Sequence, residues 1–338
     1  MAATRPTEPG AVSARASCRV DLAGGTLDIW PLGLLHPGAR TINVAIDVEA
    51  RVVLTKSARC SVRQDGTTVE ADDWPGLAEV PGGELVGLLA SELDLPAAAV
   101  LLESDSPRGG GLGASSALGV AFVAAAEAWT GRPPSETGWR AGLVRDVEAR
   151  LMSLPTGCQD QYAALLGGAL EILYGPGGEE VSRLAVDLEA LGESLVVAYS
   201  GRSHFSAGSN WQIVRRRLDG DAESIELFAG ITAAAVDTAA ALAAGDLPAV
   251  GAAVGREWSY RRRLAEGIST PKLEELLAAA REAGAWGGKA TGAGGGGCVA
   301  VLCPAARRDA VREALAQHGG QVLACRPGSR PVSVGDAA

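Results

Sequence analysis

The stretch "SPRGGGLGASSALGVAF", residues 106–122, constrains the fold of this chain more than any other segment. It holds five glycines and three serines, and four of the glycines and all of the serines directly precede an apolar run. Glycine allows positive φ angles and close approach of a ligand to the backbone. A helix that begins at Ser115 or Ser116 directs its free N–H groups toward the glycines. This arrangement predicts an anion cradle, with phosphate as the favoured ligand, and an ordinary tight turn is the alternative.

The loop is neither of two common nucleotide-binding motifs. The Gly-Lys-Ser/Thr sequence of a Walker A loop is missing, and no strand precedes the glycines in the register of a G-x-G-x-x-G fingerprint. The identity of the anion therefore has to come from other segments of the chain.

Composition limits the partners of the chain. Its 338 residues carry a formal net charge of −10 with a pI near 5.0, which argues against nucleic acid and acidic membranes as partners. The basic run Arg215–Arg217 is short, and we interpret it as a solvated helix face. Six cysteines form no CxxC pair, which favours a reducing cytoplasm over a zinc site or a disulfide framework. Neither a signal-peptide core nor an uninterrupted apolar run of membrane-spanning length is present.

Hydrophobic patterning predicts an α+β protein with two lobes. Residues 1–13 are predicted to be disordered, residues 14–180 to form the N-terminal lobe and residues 181–338 the C-terminal lobe, with the boundary uncertain by about ten residues. "CRVDLAG", "INVAIDVEARVVLTKS", "SLVVAYSG" and "GCVAVLCP" are predicted strands. Helices are predicted after the glycine loop, over "GWRAGLVRDVEARLMS" with an apolar stripe of Leu143, Val147 and Leu151, and over residues 221–244, 247–266 and 271–284.

The segment "PRGGGLGASSA" resembles the second motif, P-x-x-x-G-L-G-S-S-A-A, of the GHMP kinases, the superfamily of galactokinase, homoserine kinase, mevalonate kinase and phosphomevalonate kinase. Ala114 stands where the family commonly has its first serine. The resemblance implies that this loop binds the phosphates of ATP and that Ser115 helps to hold Mg²⁺. The implied ATP-binding residues are Pro107, Gly109, Gly110, Gly111, Leu112, Gly113, Ala114, Ser115 and Ser116.

Two further segments resemble the other motifs of this superfamily. "GGKATGAGGGGC", residues 287–298, is similar to the third motif, and a flexible linker is the alternative. "SARASCRVDLAGGTLDIW" is similar to the first motif of the sugar kinases, which places Arg19 near the transferred phosphoryl group and Asp28 on sugar hydroxyls. Taken alone, Arg19 could instead form a salt bridge at a strand end and Asp28 could be a turn residue. The implied substrate-binding residues are Asp28, Gly24, Gly25, His204, Thr291, Gly292, Ala293, Gly294 and Gly295.

The segment "VEARLMSLPTGCQDQYAALLGG" has the spacing E-x6-P-x-G-x-x-D-Q of galactokinases and heptose kinases. By this resemblance Glu148 is the Mg²⁺ carboxylate, and Asp160 accepts or positions the proton of the substrate hydroxyl. Glu148 lies beside the apolar face of its predicted helix, where a carboxylate needs a partner. The alternatives are a Glu148 that reaches water and an Asp160 that caps the next helix.

The resemblance as a whole implies a two-lobed GHMP kinase fold, with an N-terminal lobe like ribosomal protein S5 domain 2 and a ferredoxin-like C-terminal lobe. It implies a cytoplasmic, ATP- and Mg²⁺-dependent kinase for a sugar or sugar phosphate, acting as a monomer or homodimer. The branch of heptose 7-phosphate kinases and fucokinases, which phosphorylate an anomeric hydroxyl, is the most similar one. The chain departs from it at Gly24–Asp28 and in the insertion "WPLGLLHPGART". Galactokinase-like or mevalonate-kinase-like activity, and a sensor that binds ATP without transferring phosphate, stay open as alternatives.

Overall fold

A computed structural model describes residues 10–203, 209–328 and 330–336. Within these residues the strands form two sheets. The first sheet has the order β12-β1-β2-β5-β3-β4, and β6 and β7 extend from β2. All of its pairings are antiparallel except that of β3 with β5. The strands of the first sheet are β1 Ala11–Ala23, β2 Arg40–Lys56, β3 Cys60–Gln64, β4 Thr67–Ala71, β5 Ala98–Ser104, β6 Ala169–Gly175, β7 Gly178–Arg183 and β12 Ser333–Asp336.

The second sheet is smaller and has the order β11-β8-β10-β9. Its pairings are all antiparallel. The apolar residues of β10 are buried along its whole length, as expected for a central strand covered on both faces. Its strands are β8 Leu195–Tyr199, β9 Gly287–Ala290, β10 Cys298–Leu302 and β11 Gln321–Val322.

Helices pack against both sheets and supply most of the remaining core. In the first lobe they are α1 Trp74–Ala78, α2 Glu84–Glu92, α3 Ala114–Trp129, α4 Thr137–Met152 and α5 Gln159–Leu166. After β7 they are α6 Leu188–Ser194, α7 Ser209–Leu218, α8 Ala222–Ala243, α9 Leu247–Arg261, α10 Pro271–Glu282 and α11 Arg308–Gln317. Short 3-10 turns occupy Leu32–Leu35 and Ala305–Arg307.

Helix α3 is the central helix of the first lobe. Its small alanine side chains let it lie flat on β1 and β2, where nearly all of its residues are buried. A Cβ at Gly119 would come within 2.6 Å of Cγ1 of Val144, so glycine is what lets α4 pack closely on α3. This close packing brings the C-terminal half of α4 beside the start of α3, where the glycine-rich loop ends.

The predicted α+β architecture with two lobes is confirmed, but two details of the prediction were wrong. Residues 11–13, predicted to be disordered, belong to β1 and pair with both β2 and β12, while residues 1–9 lie outside the described part of the chain. The apolar stripe on α4 is shifted, because Leu143 is only half-buried and Leu151 is exposed. The buried face of α4 consists of Arg140, Ala141, Val144, Val147 and Glu148.

Strand pairing also bears on the division between the lobes. A boundary at residue 180 falls within β7, which pairs with β6 in the first sheet, so the division lies between β7 and β8. Helix α8 then spans two hydrophobic clusters. Phe228 packs in the one that contains Leu276, and Leu242 in the larger one, which joins the core of the first lobe to Val197 and Ala300 of the second sheet. By length and composition α8 is apolar enough to span a membrane, yet 56% of its most apolar window is buried inside the protein.

Candidate active site

The glycine-rich loop connects β5 to α3 and leaves the start of that helix open. Gly109, Gly111 and Gly113 have φ angles of 65°, 70° and 74°, a conformation that residues with side chains rarely adopt. Gly113 is the N-cap of α3 and offers no side-chain acceptor, whereas α8 is capped by the Asp221 carboxylate. The first N–H groups of α3 are thus left for a ligand, as an anion cradle requires.

The loop borders a cavity of about 560 Å³ between the two lobes. The structure brings most of the sequence-predicted site residues together along its wall. These residues are Arg19, Asp28, Pro107, Gly109, Gly110, Gly111, Leu112, Gly113, Ala114, Ser115, Ser116, Glu148, Asp160, Thr291, Gly292, Ala293 and Gly294. Gly24, Gly25 and Gly295 are not among its lining residues, and His204 lies outside the described residues.

Arg19 and Asp160 form one unit with the loop. Arg19 is buried on β1, and its Nε and Nη2 atoms lie 2.8 Å and 2.6 Å from Oδ1 of Asp160. Its Nη1 atom donates a hydrogen bond of 2.6 Å to the carbonyl oxygen of Gly111. Asp160, in the first turn of α5, is held at the mouth of the loop with one carboxylate oxygen occupied by the guanidinium. A Cβ at Gly113 would be 3.0 Å from its other oxygen, Oδ2.

Glu148 projects from the buried face of α4 toward the first turn of α3. Its Oε2 atom accepts hydrogen bonds of 2.7 Å from Oγ of Ser116 and 2.7 Å from Nε2 of Gln161. Burial raises the pKa of the Glu148 carboxyl to about 7, although the hydrogen bonds from Ser116 and Ser115 lower it. Ser115 is exposed to the cavity while Ser116 is buried against Glu148. A buried carboxylate beside two hydroxyls fits Mg²⁺, which prefers such oxygen ligands and would supply the missing positive charge.

Asp28 lines the cavity from the turn that follows β1. A Cβ at Gly157 would overlap its Oδ2 atom, so the carboxylate sits in space that only glycine leaves open. The same oxygen accepts a long hydrogen bond of 3.4 Å from the backbone N–H of Gln159. Burial and the nearby Asp160 carboxylate raise the pKa of Asp28 to about 6. Asp28 and Asp160 thus form an acidic pair, typical of a surface that receives hydroxyl groups.

The glycines at 24 and 25, predicted to touch substrate, have structural reasons for their identity. A Cβ at Gly24 would overlap the carbonyl oxygen of Arg40 in β2. A Cβ at Gly25 would overlap Nη1 of Arg261 and come within 2.8 Å of Oδ2 of Asp21. Both glycines therefore face protein rather than the cavity.

The insertion after Ile29 borders a second cavity of about 160 Å³. Trp30, which is 74% exposed, and Leu34 line this cavity together with Asp28 and Glu179. The insertion is anchored by Arg217, which donates a hydrogen bond of 2.8 Å from Nε to Nε2 of His36. This contact gives His36 a structural role. Arg216 is also engaged, with Asp221 and the carbonyl oxygen of Leu264, so the interpretation of the basic run as a solvated helix face was wrong for these two arginines.

Sequence reasoning missed a group of buried ionic residues between the lobes. Asp21 and Lys289 are fully buried, and the cation of Lys289 lies 2.8 Å from Oδ2 of Asp21. Their partners Glu257 and Arg261 are also buried, on α9. The sequence does contain a signal for this group. The strands "CRVDLAG" and "GGKA" carry charged residues at inner positions, where a charge is rarely buried unless it is paired.

Comparison with known proteins decides the family. The family model "GHMP kinases N terminal domain" matches residues 83–168, and "GHMP kinases C terminal" matches residues 238–321. The mevalonate kinase of Pyrococcus abyssi is 31% identical over 291 residues, which are 83% of this chain and 82% of that protein. The chain belongs to the GHMP kinases. It is therefore a phosphotransferase of a family that uses ATP as phosphate donor.

The GHMP kinases to which this chain is similar differ in the acceptor that their names give. The D-glycero-alpha-D-manno-heptose 7-phosphate kinase of Campylobacter jejuni is 29% identical over 222 residues, and the match spans 65% of each chain, just under two thirds. A crystal structure of a D-glycero-D-manno-heptose 1-phosphate kinase from Bacteroides thetaiotaomicron superposes with a TM-score of 0.76 at 22% identity, covering 97% of this chain and 99% of that one. Lactococcus lactis galactokinase, solved with galactose, gives 0.75 at 15% identity over 96% and 95% of the two chains. These structural likenesses show the fold of the GHMP kinases.

Proposed function

We propose that this protein transfers the γ-phosphoryl group of ATP to a hydroxyl of a sugar or sugar phosphate, with the anomeric hydroxyl as acceptor. The observation that carries the proposal is the unit of Arg19, Asp160 and Gly111. Arg19 binds the carboxylate of Asp160, which faces the acceptor in this proposal, and also the carbonyl oxygen of Gly111 in the predicted phosphate-binding loop. The base and the donor site are thereby fixed relative to each other, which is the main requirement of phosphoryl transfer.

In this mechanism the open end of α3 and the loop from Pro107 to Gly113 bind the triphosphate through backbone N–H groups. Asp160 orients the acceptor hydroxyl and accepts its proton as the oxygen attacks the γ-phosphorus, and the bond from that phosphorus to the β–γ bridging oxygen breaks to release ADP. Arg19 keeps the Asp160 carboxylate directed through contacts from Nε and Nη2, and its positive charge offsets charge on the transferred group. Mg²⁺ held by Glu148 and Ser115 would neutralise charge on the phosphate oxygens.

The charges around the cavity favour a sugar over mevalonate as acceptor. Each arginine among the described lining residues is already paired with a carboxylate, Arg19 with Asp160, Arg108 with Asp65 and Arg261 with Asp21. The acceptor side carries the acidic pair Asp28 and Asp160, which attracts hydroxyl donors and repels anionic groups, so it disfavours the carboxylate of mevalonate and favours an uncharged sugar over a sugar phosphate. The exposed indole of Trp30 lines the second cavity, which Asp28 also borders, and offers a flat apolar surface on which a sugar ring that extends past Asp28 can stack.

The test is ATP consumption by the purified protein with Mg²⁺ over a panel of hexoses, heptoses, heptose 7-phosphate, galactose and mevalonate. We expect turnover with at least one sugar and none with mevalonate. Turnover with mevalonate alone would refute the acceptor class. ATP binding without turnover on any member would instead support a sensor. We place the enzyme in the cytoplasm, where ATP is available, as a monomer or homodimer.

A further inference from the structure

Four charged side chains are buried together where the lobes meet. Asp21 comes from β1 of the first sheet, Lys289 from β9 of the second, and Glu257 and Arg261 from α9. Oδ2 of Asp21 lies 2.8 Å from Nζ of Lys289 and 2.8 Å from Nη1 of Arg261. Glu257 lies 2.9 Å from Lys289 and 3.5 Å from Arg261 through Oε1. The two acids and two bases offset each other, so the cluster carries no net charge.

The two acids of this ionic cluster differ in what else they touch. Oδ1 of Asp21 accepts a hydrogen bond of 3.0 Å from the backbone N–H of Gly292. Arg261, held by Asp21, donates from Nη2 to the carbonyl oxygen of the same glycine. Both peptide groups of Gly292 are thus held by the cluster through Asp21 and its arginine, whereas the contacts described for Glu257 are with Lys289 and Arg261.

Gly292 is the point at which the glycine loop of the second lobe meets the phosphate loop. A Cβ at Gly292 would be 2.7 Å from Cα of Gly111, and one at Gly111 would be 2.6 Å from the carbonyl oxygen of Thr291. Gly111 is also the residue whose carbonyl oxygen is bound by Arg19. A shift of Gly292 would therefore be transmitted directly to the backbone that is shaped for the phosphates.

Burying four charges is expensive, and replacing such a cluster with apolar residues is often neutral or stabilising. Stability alone is therefore a weak reason for this arrangement. A carboxylate is also the only side chain here that can accept from two cations and a backbone N–H at once. Lys289 and Arg261 hold the pKa of Asp21 well below its usual range in spite of burial, so it stays an acceptor at neutral pH.

We propose that Asp21 is a positioning residue for nucleotide binding. From the sheet of the first lobe it fixes Gly292 of the second lobe against Gly111, and so holds the two glycine loops in the geometry that receives the triphosphate. This role rests on the proposed use of ATP. It differs from a role in which Asp21 only balances the charge of Lys289 and Arg261.

The experiment compares Asp21→Asn with Glu257→Gln in the full-length protein. Both variants remove one buried carboxylate from the same cluster and leave the same excess positive charge, but only Asp21 touches Gly292. Calorimetry measures the affinity for ATP with Mg²⁺, and thermal unfolding measures stability. We expect both variants to lose stability, and Asp21→Asn to bind ATP on the order of tenfold more weakly than Glu257→Gln.

Equal ATP affinity in the two variants would overturn the proposal, because it would reduce Asp21 to charge balance. If Asp21→Asn does not fold, the comparison moves to Asp21→Asn/Lys289→Met and Glu257→Gln/Lys289→Met, which remove one charge of each sign. The same difference in ATP affinity between the double variants supports the proposal, and its absence refutes it. Calorimetry needs no acceptor, so a wrong sugar assignment does not affect this test. Failure of the unmodified protein to bind ATP would refute both the proposed function and this role.

Discussion

Oδ1 of Asp160 lies 2.8 Å from Nε and 2.6 Å from Nη2 of Arg19, so a single carboxylate oxygen meets two of the three guanidinium nitrogens. In the proposed mechanism the remaining oxygen, Oδ2, meets the acceptor hydroxyl. We expect Asp160→Asn to lower kcat by about 10²- to 10⁴-fold, because the amide cannot accept the proton. ATP affinity should change little, since the amide keeps the size of the side chain. Steady-state kinetics and calorimetry measure the two effects, and unchanged kcat would remove Asp160 from its role.

Gly157 gives a test of the acceptor site without touching a charged residue. Its missing side chain leaves the space that the Asp28 carboxylate occupies, so Gly157→Ala must displace Asp28. We expect the KM for the sugar to rise by about tenfold and the KM for ATP to stay within about twofold of its original value. Gly177→Ala is the matched control, because a Cβ at Gly177 meets nothing within 4 Å. An equal rise of both KM values would show a general distortion instead.

Glu148 should govern the dependence on metal. Glu148→Gln keeps the hydrogen-bonding shape but removes the charge that a divalent cation needs. We expect Mg²⁺ to raise the ATP affinity of the original protein on the order of tenfold. In Glu148→Gln most of this gain in affinity should be lost. Calorimetry with and without Mg²⁺ measures the difference. Asp146→Asn, at an exposed position on the same helix, is the control and should retain the full effect of the metal.

The acidic pair makes stability depend on pH in the protein without metal or nucleotide. Because the pKa of Asp28 rises from 3.8 to about 6 on folding, the folded protein keeps a proton that the unfolded chain loses between these values. The contribution of Asp28 to stability therefore falls as the pH rises from about 4 to 6. Asp28→Asn should remove this pH-dependent fall in the free energy of unfolding. The stability of the variant relative to the original protein should therefore increase as the pH rises from about 4 to 6. Chemical unfolding at several pH values measures it, with Asp72→Asn, whose side chain is 94% exposed, as control. Parallel profiles for the original protein and Asp28→Asn would contradict the assignment.

The sequence predicted the parts of the site that lie within one continuous segment. Glycine loops and helix starts depend on neighbouring residues, so the open end of α3 could be predicted from local patterns. The roles of Glu148 and Asp160 came from the resemblance of their segment to sugar kinases. The stripe on α4 was misplaced by part of a turn, since Leu151 and Val144 are equally apolar and only the packing on α3 decides between them. Asp21 and Arg261 are 240 positions apart, and Asp21 meets Gly292 after 271 positions. No local pattern carries such a pairing, so the ionic cluster and the true neighbours of Gly25 became visible only in the structure.

Strand β12 pairs with β1, from Val12 with Asp336 to Arg15 with Ser333. Because of this pairing, cutting the chain at one point cannot yield two complete lobes. A fragment that stops after β7 would contain all other strands of the first sheet but would leave the outer edge of β1 open. Such an edge is a template for pairing between molecules, so the fragment should aggregate rather than behave as a nucleotide-binding module. The first lobe can complete its sheet only after the second has been synthesised, and assembly of the active site is thereby tied to the full chain.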